Sequence, residues 1–206
     1  MDFLLIVIRQ ALLFLHLIAF AFAIVTVLKE DFSLLRASRI DPIALHATGK
    51  LTVMLLGLLW VTGLMLVGLD TGFNPTVLAS KPKLATKLTV LLVLTINGVL
   101  LHWLAFPKLT EPQRSVRGAA IFCSVLGAIS SVTWMFASFV GVARLIAPAM
   151  TYKGFLSLYG ISVLAGLVVA LVVVRPYVER LIPRVSENDT NRHDSDDVHA
   201  EGLKAA

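Results

Sequence analysis

Cysteine is almost absent from this chain. Cys123 stands alone inside an apolar run, so neither an intrachain disulfide nor a cluster of thiolate ligands can form, and a small buried hydrophobe is its simplest role. Charge is scarce too: Asp, Glu, Lys and Arg supply 15% of the 206 residues, against roughly 25% in a soluble domain. No nucleophile–base constellation and no glycine-rich phosphate loop is present, which removes the common soluble enzyme classes. The net charge of +5 does not point to nucleic acid, because the cations sit in short segments between apolar runs and never interleave with aromatics.

What fills the chain instead is apolar side chain: 57% of residues, with a mean hydropathy of +0.85. A soluble fold has no interior large enough for that. A hydrocarbon core of roughly 30 Å needs about 20 apolar residues of helix, and five such stretches occur, at about 3–28, 46–69, 84–106, 118–142 and 154–175. The expected fold is all-α, a polytopic bundle of about five transmembrane helices in contact with lipid over residues 1–184. Pro107 is expected to stop the third helix. The start of the second span is open between Ile43 and Leu51. Ala21-Phe22-Ala23 resembles a signal-peptide cleavage site, but Met1-Asp2 offers no basic start and Arg9 and His16 interrupt the apolar stretch, which favours retention of the first span.

Lys and Arg are enriched on the cytoplasmic side of membrane proteins. One side collects twelve of them, including Lys29, Arg36, Arg39, Lys50, Lys108, Arg114 and Arg117, and the other six. The count predicts the N-terminus outside and the C-terminus in the cytoplasm. From Val185 the composition turns polar and acidic, which reads as a disordered cytoplasmic tail over 185–206 with two solvated histidines, His193 and His199.

An ionisable side chain inside a span costs several kcal/mol, so those present are functional candidates. Arg9, His16, Ala23 and Glu30 are spaced by seven and lie along one stripe of the first helix, which must face the bundle interior. His46 and Lys50 are one turn apart on the second helix. Thr95, Gly98 and His102 share a face of the third, with Asn97 beside them and Lys87 near its other end. His46 and His102 sit level if the second helix begins near Ile43; if it begins at Leu51, His46 lies among the headgroups.

A b-type haem in a helical bundle asks for an axial imidazole, small residues beside the porphyrin face and cations for the propionates. His16, His46 and His102, then Gly49, Gly57 and Gly98, then Arg39, Lys50 or Arg114 provide them. In this reading His16 is one ligand of the metal and His102 or His46 the second, His46 and Lys50 help bind the cofactor, and Lys87 and Arg9 are the catalytic candidates, as electrostatic partners for carboxylates. Copper on the same imidazoles is chemically allowed. Against both stands the reading in which histidines only hydrogen-bond between helices and lysines snorkel to the interfaces. Ser124, Gly127, Ser130, Ser131 and Ser138 on the fourth helix read as close helix packing.

Residues 9–108 carry His16 in the first helix with Glu30-Asp31 at its end, Thr62-Gly63-Leu64 in the second, and Lys83-Leu84-Ala85-Thr86-Lys87-Leu88 opening the third, followed by His102 and Pro107. In these positions the chain resembles the four-helix membrane module of the HemJ-type protoporphyrinogen oxidases and the CopD-type copper-resistance proteins. The resemblance implies a bacterial inner-membrane protein with His16 and Lys87 at functional positions. It implies haem b as cofactor and, for an oxidase, a porphyrinogen substrate and a quinone acceptor. The chain departs from that pattern after His16, where it reads Leu17-Ile18-Ala19-Phe20-Ala21-Phe22, and in its fifth span and tail. A metal-ion (copper) transport role and an accessory role without catalysis are the competing expectations; a homo-oligomer is left open.

Overall fold

The structure, a computed structural model, describes residues 3–37 and 39–184; the expected acidic tail at 185–206 lies outside the described residues. Five helices are long and apolar enough to cross a membrane: Phe3–Arg36, Pro42–Thr71, Pro82–Thr110, Val116–Val142 and Tyr152–Leu181. A short helix, Pro75–Ala79, sits between the second and third. Among the described residues no strand forms, and Gln113 and Arg184 make an isolated bridge. The fold is an all-α polytopic bundle.

Local chemistry sets the helix ends. Asp41 caps the second helix by accepting from the amides of Ile43 and Ala44, with Pro42 as the first helical residue, where its missing N–H costs nothing. The far end of this helix closes on Gly72 in the left-handed region at φ 59°, a conformation glycine adopts without strain. Ser115 and Thr151 cap the fourth and fifth helices. Helix two therefore begins before Ile43, which places His46 in its second turn.

Pro107 does not stop the third helix, contrary to the sequence expectation. A π-helical turn at Leu101–Ala105 precedes it, with the Phe106 amide donating to Leu101 O, and the helix continues to Thr110. A second π turn, Ala170–Val174, precedes Pro176 in the fifth helix in the same way. Each wider turn accommodates the ring and the missing donor of the proline that follows.

The fourth helix is the hub. Half of its apolar window is buried, against 6–22% in the other four, and it packs on each of the first, third and fifth helices. Its Trp134 is 1% exposed and stacks obliquely on Phe20 of the first helix at 5.7 Å. Helices one and two pair along the seven-residue stripe: Arg9 bonds Asp70, His16 bonds Thr62, and Ala23, wholly buried, packs in a cluster with Leu55 and Leu56. Outward, the bundle presents large apolar side chains such as Phe14, Phe22, Met54, Leu164 and Val168, a surface suited to lipid.

Candidate functional site

At the end of the bundle where the first helix finishes, all five helices enclose a chamber of about 900 Å³, within the range of ligand and cofactor sites. Its walls are mostly apolar. The polar groups on them are few: Glu30 and Asp31, His46, Thr48, Lys50 and Thr52, Thr95 and His102, and Ser124, Ser130 and Ser131. Glu30 and Asp31 reach it because the first helix runs two turns past its apolar stretch, to Arg36.

His102 stands on the π turn before Pro107. Its Nδ1 is buried and has no hydrogen-bond partner, a state that costs about 1–3 kcal/mol. Gly49 lies beside it: a β-carbon there would stand 3.5 Å from Nδ1 and 2.7 Å from Phe106 Cε2. His46 is exposed at the mouth of the chamber, its ring 6.0 Å from that of His102 and at 81° to it. Phe106 meets both imidazoles edge-on, at 6.2 Å and 5.5 Å.

Ser124 adds a second orphan. It is 3% exposed, and its hydroxyl has no partner, whereas the usual habit of hydroxyls in this bundle is to bond back to the carbonyl four residues earlier, as Thr52, Thr62, Thr95 and Ser138 do. Two residues that line one chamber thus each carry a buried polar atom without a partner. Asp31 is partnered: Ser131 Oγ lies 2.6 Å from its Oδ2 and 2.9 Å from Gly127 O.

The other candidates fall elsewhere. His16 does not line the chamber. It lies between the first two helices, where the Thr62 hydroxyl, already donating to Leu58 O, accepts from its Nδ1 at 2.8 Å. That assignment leaves Nε2 without a proton. Arg9 is ion-paired with Asp70 at 2.7 Å, and Lys81 donates to Asp70 O. The structure therefore brings His46, Lys50 and His102 together and sets His16, Lys87 and Arg9 apart from them. Among the described residues no three His, Cys, Asp or Glu side chains gather into a group able to hold a bare metal ion.

Sequence reasoning missed Asp31, Ser124 and Ser131 as chamber residues, and took the fourth helix's small residues for close packing. The signal for Asp31 was there: acidic groups near a helix C-terminus oppose its dipole and need another reason to stand there. The chain matches no family model, and no curated protein or solved structure matches it.

Proposed function

We propose that this protein holds a ring-bearing redox cofactor, b-type haem foremost, in the chamber between its five helices, with His102 as the imidazole that would hold it. The observation that carries this reading is a space of cofactor size lined by His102, a residue whose Nδ1 is buried and unpartnered. A porphyrin brings four of its own nitrogen donors, so one protein imidazole suffices where no cluster of three donors exists. Gly49 and Gly98 keep the wall low beside the ring. Lys50 and His46, exposed at the mouth, suit the carboxylates of such a cofactor. When bound, haem would supply one-electron chemistry; the chain would supply mostly apolar walls and an imidazole.

We place the protein in a bacterial inner membrane with the chamber at the cytoplasmic end, on the distribution of Lys and Arg. A HemJ-like oxidation of a porphyrinogen, passing electrons to quinone, would use the same chamber, with His16 and Lys87 as a separate locus toward the opposite end.

The test is a reduced-minus-oxidised spectrum of protein purified from haem-replete cells. A b-type signal is expected, lost in His102→Ala and kept in His16→Ala. Folded wild-type protein without haem absorbance would remove this reading. A signal lost in His16→Ala and kept in His102→Ala would move the cofactor to the first two helices.

A further inference from the structure

The Asp31–Ser131 pair joins the first helix to the fourth on the chamber wall, and its hydrogens can be counted. A serine hydroxyl has one hydrogen, yet Ser131 Oγ has two acceptors in reach, Asp31 Oδ2 at 2.6 Å and Gly127 O at 2.9 Å. One arrangement uses every group: Asp31 as the carboxylic acid donates its O–H to Ser131 Oγ, and Ser131 donates to Gly127 O. The 2.6 Å separation is short for an O–H···O bond and serves donation in either direction. A second arrangement fits the same heavy atoms: Asp31 as the carboxylate accepts from Ser131, whose hydroxyl has turned away from Gly127 O. One proton and a rotation about the Cβ–Oγ bond separate the two, so neither charge state leaves Asp31 unbonded.

We propose that Asp31 is a proton-exchange site of the chamber, with Ser131 as the rotor that stabilises both of its charge states. On release, the O–H bond at Oδ2 breaks and its electron pair stays on the carboxylate. The proton passes to water at the chamber mouth as hydronium, and the Ser131 hydroxyl turns to donate to Asp31. Uptake reverses each move. Glu30, the next residue, lines the same space. The other ionisable groups on its walls are His46 and Lys50 from the second helix, His102 from the third and Cys123 from the fourth; the fifth helix contributes only apolar residues and Gly166. A ligand that changes its charge by one inside the apolar walls could thus be balanced by one proton at Asp31, without a bare charge being buried.

This role depends on the cofactor reading for its purpose, but its test does not. Infrared spectra of the purified full-length protein, with no ligand added, are recorded between roughly pH 5 and 8, the window a cell can use. The expected result is a carboxylic-acid carbonyl band that titrates as one group, shifts in D2O and disappears in Asp31→Asn. In Ser131→Ala its midpoint should move by about one pH unit or more, a tenfold change in proton affinity, and Ser131→Thr should restore it. A titrating band that survives in Asp31→Asn, or no acid band in that window, overturns the proposal. So does a midpoint unchanged in folded Ser131→Ala, which also decides the matter should Asp31→Asn not fold. Absence of haem would leave these spectra untouched.

Discussion

The two ends of the bundle treat their polar residues in opposite ways. Toward the end where the first helix starts, polar groups pair with one another: Arg9 with Asp70, Lys81 with Asp70 O, Lys83 with Gly141 O, Thr89 with Tyr152, and His16 with Thr62. At the other end a chamber opens, and His102 Nδ1 and Ser124 Oγ on its wall have none. Satisfied polar groups between membrane helices contribute modestly to cohesion. Unsatisfied ones subtract from stability, so each calls for an explanation. An ionisable residue in a span is therefore a clue only until its partner is known.

Trp134 is the wall that both halves share, so its removal tests the comparison most severely. Its ring is 1% exposed, packs against Phe20 and also faces the chamber. Trp134→Ala should cost about 3–5 kcal/mol, measured as a loss of unfolding free energy in a mild denaturing detergent. A variant within about 1 kcal/mol of wild type would mean that the chamber collapses freely and was never a fixed space.

Next in size is Gly49→Ala. The added β-carbon would stand 2.7 Å from Phe106 Cε2, so the Phe106 ring must turn into the space beside His102. We expect at least about a tenfold weaker hold on the cofactor, worth roughly 1.4 kcal/mol, read from haem retention through purification. Gly57→Ala is the control. No atom lies within 4 Å of a β-carbon there, and the gain in helix propensity should stabilise by about 0.5–1 kcal/mol. Equal loss from both variants would sink the assignment of the chamber as the binding site.

The architecture was largely legible from the residues, and the site only in part. Apolar runs of membrane length predict five helices, and five form. The seven-residue spacing of Arg9, His16, Ala23 and Glu30 predicts an inward stripe, and its first three members meet the second helix. The meeting of His46 and His102 turned on where the second helix begins. That is decided by Asp41 as a cap and Pro42 as the first helical residue, two signals that hydropathy does not weigh. Pro107 looked like a stop because a proline's effect depends on whether the preceding turn can widen, a tertiary matter. Ser124 and Ser131 looked like packing residues because a small side chain serves equally to admit a neighbouring helix or to leave room. Only the placement of the first and fifth helices tells which.

Thr62→Val tests the partnered end. The substitution keeps the shape and removes the hydroxyl that accepts from His16 Nδ1. An interhelical bond of this kind contributes about 0.6 kcal/mol on average. The expected outcome is a stability loss of that order, with the haem spectrum unchanged. A spectrum altered in Thr62→Val would show that Thr62 orients His16 as a ligand, the arrangement in which a histidine gives one ring N–H to an oxygen and its other nitrogen to a metal.

The smallest effect is expected at Arg9, the residue whose charge stands out most in the sequence of the first helix. Its side chain is 45% exposed and that of Asp70 32%, and an ion pair of such exposure contributes about 0–1 kcal/mol. Arg9→Gln and Asp70→Asn, alone and together, should give a coupling energy in that range, because each partner loses the same contact. Cofactor content should match wild type in all three variants, since the pair lies toward the opposite end from the chamber. If Arg9→Gln instead emptied the protein of its chromophore while its stability held, the charge of Arg9 would be acting on a ligand and not on Asp70. The distinction between a cohesive end and a binding end would then fail at the residue where the partner is plainest.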